Sequence, residues 1–574
     1  MTQIVRLFAG ILPTIVLSPV LVAPAFNFDG MNSDVDGQEQ YRGVVYRGSE
    51  EDEFDREYKG SLFRSNGIPP NIVFILADDL DLTLEGMTPL EKTKEILGSG
   101  GATFSNMFAT TPICCPSRSS ILTGQYQHNH QVLNNSIPGN CYGDTWRAVH
   151  EEKFSFAPYL KSMGYTTFYA GKYLNQYGHE RAGGIRRIPI GWDHWAGLVG
   201  NSVYYNYTLS VDGNPEEHGD RPDEDYLTNV IKNKSLDFLA KYEPETNGPL
   251  FMFIAPPAPH APYTPEPKYE KAYSYVRALR TPNFNTDNVD DKHWLLRQGP
   301  HPLPAGVVDE VDEFFRDRWR SLLSVDDLVS DVYNSLAEKG MIDNTFIVFT
   351  SDHGYHLGQF SQPIDKRQPY EFDIRVPLYV RGPGVEAGST RNEVVLNIDL
   401  APTFMQMAGL QPLKSMDGES FLPHMSRKLG NHGLIPDGRK LFLVEYHGEG
   451  SKMVNEQCTD DTNMEGCRPD LACKCQDSTN NTYACIRNVE EHLDFLYCQF
   501  QDMEHFEEFY DIRHDPYQLV NQAGSLQGGW RKDFRKALKS LSQCFGVECH
   551  QLSGASFDRQ VPMAELMHNP MNSR

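Results

Sequence analysis

The chain has 574 residues, 40% of them hydrophobic and 11% aromatic, which is enough to build a buried core and excludes a wholly disordered polymer. Lys and Arg number 52 against 77 Asp and Glu, a formal net charge of −25. That balance excludes general nucleic-acid binding, and an anionic substrate would need a locally basic pocket. Residues 1–25 read as a signal peptide: Arg6 precedes an apolar run from Leu7 to Phe26 that ends in small residues (Val22, Ala23, Ala25). Pro13, Pro19 and Pro24 interrupt the run, which argues against a stable membrane anchor, and no later stretch is long and apolar enough to span a bilayer. Residues 26–67 are polar and acidic, densest at Glu50-Glu51-Asp52-Glu53, and are expected to form a flexible leader.

From residue 68 the pattern changes. Asn71–Leu76 is a continuous apolar run of strand length, followed by Asp78-Asp79. Three more such runs follow: Thr166–Ala170 before Gly171-Lys172, Leu250–Ala255 before Pro259-His260, and Thr345–Thr350 before Asp352-His353-Gly354. Buried parallel strands read this way. Helical patterns at 89–97 and 314–336 separate them, so residues 68–430 are expected to form an α/β domain. Ligands of open parallel sheets bind at the carboxyl ends of the strands. That rule aims Asp78, Asp79, Lys172, His260, Asp352 and His353 into one crevice. Three carboxylates suit Ca²⁺ or Mg²⁺, while the imidazole leaves Zn²⁺ or Mn²⁺ open.

Eleven cysteines are present: Cys114, Cys115, Cys141, and the remainder between Cys458 and Cys549. Cys473 and Cys475 lack zinc-knuckle spacing, so disulfides in an oxidising compartment are expected, with residues 431–574 forming a smaller disulfide-rich α+β domain. An odd count leaves one cysteine over. Four sequons, at Asn134, Asn206, Asn233 and Asn480, become glycosylation candidates after export. Cys114-Cys115-Pro116-Ser117-Arg118 reads as a turn entering a helix, where an anion or a thiolate is favoured and Arg118 lies one turn along the same face.

Cys-x-Pro-Ser-Arg followed by Leu122-Thr123-Gly124 resembles the signature of the sulfatase family. The resemblance extends through Asp78-Asp79, Gly171-Lys172, Pro259-His260, Asp352-His353, Lys366 ahead of Tyr370-Glu371, Asp399–Thr403 and Asp417-Gly418. Within the family, Gly171–Gly178, Lys292–Leu295, Leu322–Leu328, Pro363–Gln368 and Tyr370–Ile374 look most like the glucosamine-6-sulfatases. Leu174 and Asn175 stand where many sulfatases carry a His, and His353 stands where many carry Asn.

The resemblance implies a large mixed, mostly parallel sheet flanked by helices, the alkaline-phosphatase-like sulfatase fold. It implies that Cys114 is oxidised to formylglycine during export by a formylglycine-generating enzyme. Ten cysteines then remain, enough for five disulfides; the pairing is not readable from sequence, and Cys115 with Cys141 is one candidate. Asp78, Asp79, Asp352, His353 and modified Cys114 would hold one Ca²⁺. Arg118 and Lys172 would orient the hydrated aldehyde and the sulfate. His260 and Lys366 would contact sulfate, with His260 able to protonate the leaving oxygen. The implied activity is removal of 6-sulfate from N-acetylglucosamine in heparan or keratan sulfate, in the lysosome or after secretion, by a chain that is a candidate homodimer. An extracellular endosulfatase or an arylsulfatase is the alternative. The endosulfatases carry a long basic insert that has no counterpart here. A phosphohydrolase on the same sheet would place Ser or Thr, not Cys114, at the nucleophile position.

Overall fold

A computed structural model describes residues 69–150, 153–425, 438–448 and 474–553. The expected signal peptide and acidic leader, and Cys458, Cys467 and Cys473, lie outside the described residues. The four apolar runs form strands: β1 (Asn71–Ala77), β3 (Thr166–Lys172), β7 (Leu250–Ala255) and β8 (Thr345–Ser351). They join β2 (Ala102–Phe108), β4 (His194–Leu198), β5 (Tyr207–Val211), β6 (Asn214–His218), β9 (Arg375–Arg381) and β10 (Ser389–Leu396) in one sheet. Its order is β10-β2-β9-β8-β1-β7-β3-β4-β5-β6. The run from β8 through β1, β7 and β3 to β4 is parallel throughout. Only β9 and β5 run against the rest. The sheet is therefore mixed and mostly parallel, as the sequence led us to expect.

The central strands are apolar on both faces because both faces are covered. Ile72, Phe74 and Leu76 point to a core that includes Phe253, Phe346, Val348 and Phe404 of the helix Leu400–Met407. Val73, Ile75 and Ala77 point the other way, toward Ile231 of the helix Leu227–Lys241 and toward Leu322, Val325 and Val329 of the helix Ala305–Glu338. This long helix extends past both ends of its expected range, 314–336, because an apolar stripe at helical spacing continues to Val311 and Val307. The helix expected at 89–97 is instead one α turn, Glu91–Thr93, opening into a π-helical turn, Lys94–Ser99. Gly98, Gly100 and Gly101 close it, and a Cβ on Gly101 would sit 2.3 Å from the Val380 carbonyl oxygen.

A second sheet is antiparallel, in the order β11 (Leu441–Tyr446), β12 (Tyr483–Asn488), β13 (Phe495–Phe500) and β14 (Glu507–Asp511). Phe534 of the helix Gly528–Leu541 covers it, packing on Phe495 and Phe509. Cys485–Cys498 links β12 to β13, and Cys544–Cys549 closes a short loop beyond the helix. Cys475 is also disulfide-bonded.

Buried ion pairs and hydrogen bonds stitch this sheet to the large one. Arg487 Nε donates to Glu371 Oε1 at 2.8 Å, the Tyr370 hydroxyl to Glu508 Oε2 at 2.8 Å, and the His293 N–H to Glu508 Oε1 at 2.7 Å. His128 Nδ1 lies 2.8 Å from Glu445 Oε1, and its Nε2 lies 3.0 Å from the Cys544 carbonyl oxygen. No helix among the described residues is long and apolar enough to cross a membrane.

Candidate active site

β8, β1, β7 and β3 are neighbours running in one direction, so their carboxyl ends share one edge of the sheet. β1 runs into Asp78-Asp79. Asp79 adopts φ 68°, a left-handed conformation that residues other than Gly take infrequently. It is held there in part by its N–H, which donates to Asp352 Oδ1 at 3.1 Å just past the end of β8. The same carboxylate oxygen accepts the His353 N–H at 3.0 Å. β3 ends on Gly171-Lys172. Gly171 has φ 114°, and a Cβ there would meet the Ala255 carbonyl oxygen at 2.0 Å, so only glycine lets β3 pass β7 and deliver Lys172.

The signature motif forms the helix Cys114–Thr123, all of it buried, and Gly124 in the left-handed region ends it. Ser117 anchors the first turn: its hydroxyl donates to the Asp352 carbonyl and accepts from Asn397 Nδ2 at 2.9 Å. Cys115 is bonded to Cys141, the pairing named as a candidate above, and Cys114 is free and buried. The cysteine left over in the sequence is thus the first of the motif among the described residues.

The nine expected side chains converge. Arg118 spans three strand ends, with Nε on Asp352 Oδ2 at 2.9 Å, Nη2 on Asp78 Oδ1 at 3.2 Å, and Nη1 on the Lys172 carbonyl at 2.9 Å. Lys172 Nζ reaches both Asp78 oxygens at 2.9 and 2.8 Å, and Lys366 Nζ both Asp79 oxygens at 3.0 and 2.9 Å. His353 Nε2 lies 3.4 Å from Cys114 Sγ and 3.4 Å from Asp79 Oδ1. His260 Nε2 lies 4.0 Å from Asp79 Oδ2. All nine residues are essentially inaccessible to solvent.

Burial alone would raise the Asp78 carboxyl, but Lys172, His260, Arg118 and Lys366 outweigh it and hold the group well below the usual range. Burial likewise opposes ionisation of Cys114, yet Lys172, Lys366 and His353 pull its thiol down to about 6. The site is built to stabilise negative charge at residue 114.

The donor set suits a divalent cation. Ligand atoms of Asp78, Asp79, Cys114 and His260 lie within 4.8 Å of one another, as do those of Cys114, Asp352 and His353. His353 Nδ1 faces its neighbour's carbonyl, Gly354, at 2.9 Å, which directs Nε2 toward the cluster in the manner of a metal-ligating histidine.

Sequence reasoning missed several supporting groups. The Ser202 hydroxyl donates to Asp78 Oδ2. It follows β4, the strand beside β3, so the strand-end rule extended by one strand would have found it. Arg318, Asn397 and Tyr355 reach the site from a helix, a 3-10 turn after β10 and a buried turn, with no local motif to mark them. Leu174 is part of the apolar core, and Asn175 donates to Asn201, beside Ser202. Among the sequons, Asn206 and Asn233 are exposed and Asn134 is half-buried, whereas Asn480 is only 9% exposed.

Comparison with known proteins agrees with this geometry. The family model described as Sulfatase matches residues 70–410. An N-acetylglucosamine-6-sulfatase of Capra hircus is 47% identical over 483 residues, 84% of this chain and 84% of the relative. A Drosophila melanogaster extracellular sulfatase is 42% identical over 66% of this chain and 33% of its own length. Among solved structures, a complex with the substrate D-glucosamine-2-N,6-O-disulfate superposes with a TM-score of 0.66 at 22% identity, covering 84% of this chain and 98% of the other. With the signature cysteine at the meeting point of four strand ends and a family match across the whole large sheet, the chain belongs to the sulfatase family.

Proposed function

We propose that the protein hydrolyses the 6-sulfate ester of N-acetylglucosamine residues in heparan and keratan sulfate. The observation that carries this reading is Cys114, placed within 3.4 Å of His353 Nε2 and surrounded by the charges of Lys172, Lys366, Asp78 and Asp79. The 47% identity to N-acetylglucosamine-6-sulfatases across most of both chains supports the choice of sugar and position.

Converted to formylglycine and hydrated, residue 114 would supply one hydroxyl to attack sulfur as the bond from sulfur to the sugar oxygen breaks, and a second whose loss of a proton would re-form the aldehyde and expel sulfate. Asp78, Asp79, Asp352 and His353 would hold one divalent ion, Ca²⁺ in this reading, which would supply positive charge where the sulfate oxygens gather negative charge. Arg118 fixes the relative placement of the Asp78 and Asp352 carboxylates through its two charged contacts. Lys172 and Lys366, desolvated and aimed at the same point, offset the repulsion between the ester oxygens and the attacking group. His260, with Nδ1 against the Ala261 carbonyl at 2.6 Å, presents Nε2 as the donor for the departing sugar oxygen.

Conversion of Cys114 requires a formylglycine-generating enzyme on the export route, which fits the disulfides and the leader sequence. A lysosomal destination matches that of the glucosamine-6-sulfatases, and secretion is the alternative. Exposed Asn206 and Asn233 are the best-placed glycan acceptors.

The test combines two measurements on secreted protein. Peptide mass analysis across residues 114–118 should find formylglycine, and sulfate should be released from N-acetylglucosamine-6-sulfate and not from iduronate-2-sulfate. Active protein carrying only unmodified Cys114, or activity confined to the second sugar, would overturn the reading.

A further inference from the structure

The helix Ala305–Glu338 supplies none of the side chains assigned above to metal or sulfate. It nonetheless sends Arg318, 2% exposed, beneath the site. Arg318 Nη2 donates to the Asp79 carbonyl oxygen at 2.8 Å and to Asp81 Oδ1 at 2.7 Å. Nη1 reaches the Pro259 carbonyl oxygen, immediately before His260, at 3.3 Å. The guanidinium plane lies 4.3 Å from the centroid of the Tyr355 ring, two residues beyond His353, and the Tyr355 hydroxyl pairs with that of Tyr263. One rigid fork thus touches the loops after β1, β7 and β8 at once, and each of those loops carries a residue of the site.

Asp79 gives this arrangement its significance. Its left-handed backbone persists only if the surroundings over-determine it. Three handles do so: Asp352 on the N–H, Lys366 on the carboxylate, and Arg318 on the carbonyl. The first two handles are themselves site residues whose charge is shared with ligands. Arg318 alone touches no reacting atom, and its own charge is balanced by Asp81, whose other oxygen is tied to the Leu84 and Gly86 N–H groups at 3.1 and 3.2 Å.

We propose that Arg318 is a positioning residue, which sets the Asp79 turn and the His260 loop in register so that the metal-holding carboxylate and the proton donor face the same sulfate. The proposal rests on the sulfatase reading. A lysine ammonium has the charge but not the planar fork, and cannot meet the Asp79, Asp81 and Pro259 acceptors together.

The test uses full-length secreted protein, wild type and Arg318→Lys, with two readouts. In the first, kcat and KM are measured on N-acetylglucosamine-6-sulfate. A misplacement on the order of 1 Å predicts a kcat about 10²-fold lower with KM changed less than about threefold. In the second, the melting temperature is followed against Ca²⁺ concentration after chelation, and the midpoint should move to roughly tenfold higher Ca²⁺ in the variant. A purely structural role would lower the metal-free melting temperature and leave both the Ca²⁺ midpoint and the kcat of folded enzyme in place; that result overturns the proposal. If Arg318→Lys does not fold, Asp81→Asn, which frees the guanidinium from its counter-ion, should shift kcat and the Ca²⁺ midpoint in the same directions, and unchanged values would likewise overturn it. An inactive wild type with unmodified Cys114 would instead fail the sulfatase reading.

Discussion

Replacing Lys172 with Met isolates one charge of the site without opening a cavity, because the side chains have similar length and volume. Lys172 Nζ sits 2.9 and 2.8 Å from the two oxygens of Asp78, with both residues fully buried. Removing one member of a buried pair costs roughly 3–5 kcal/mol when the other charge is stranded. Asp78 is not entirely stranded, since Arg118 remains at 3.2 Å and Ser202 still donates, so the loss of unfolding free energy should fall near the lower end of that range. The catalytic loss is separate. A desolvated donor aimed at developing negative charge is worth on the order of 10²–10³ in kcat. Sulfate release from N-acetylglucosamine-6-sulfate, with kcat and KM resolved, should show that drop in Lys172→Met beside a midpoint shift in urea unfolding. The double variant Lys172→Met/Asp78→Asn should recover part of the stability and none of the rate. A kcat/KM within about fivefold of wild type would refute the placement of Lys172 at the reacting sulfate.

Three further outcomes follow from the same geometry. Cys115→Ala/Cys141→Ala removes a crosslink with a sequence separation of 26, for which chain entropy predicts a loss of about 3.5 kcal/mol, read as a lower melting temperature in non-reducing buffer. Gly171→Ala should sharply reduce the secreted yield, because the new methyl would overlap the Ala255 carbonyl and the left-handed backbone costs on the order of 1–3 kcal/mol by itself. His128 is raised from 6.5 to about 9: burial opposes its charge, but Glu445 outweighs burial. Its contribution, about 3 kcal/mol, is therefore complete below pH 6.5 and is lost as pH rises through 9. Unfolding curves between pH 6 and 10 should show that slope in wild type and not in His128→Gln.

The sheet and six of the nine converging side chains were legible because two simple regularities coincide, whereas Cys114 and Arg118 were marked by their motif and Lys366 by the family resemblance alone. Continuous apolar runs mark strands buried on both faces, and polar residues at the ends of such runs mark the edge where ligands bind; Asp78, Lys172, His260 and Asp352 obey both. Arg318 obeys neither. It lies on a long amphipathic helix where its spacing does not set it apart from half-buried Arg316 or from Arg320, which pairs with Glu313 and Asp317 at the protein's edge, and only the folded chain brings it beneath Asp79. The π-helical turn at Lys94–Ser99 was hidden for a similar reason, since an apolar spacing read at 3.6 residues per turn does not report a wider turn. Of the disulfides, Cys115–Cys141 was one pairing among many, and its choice depends on how the 124–140 loop folds back over the motif helix.

The seam between the two sheets bears on premature stop codons. Every group assigned to chemistry precedes residue 367, so a chain ending before β12 would still encode a complete reaction centre. It would also leave Glu371 sealed away without Arg487, Tyr370 without Glu508, and the apolar inner surface of β11 without a neighbouring strand. Such a product is expected to be cleared by quality control before export instead of surviving as a slow catalyst, so late nonsense alleles should behave as nulls.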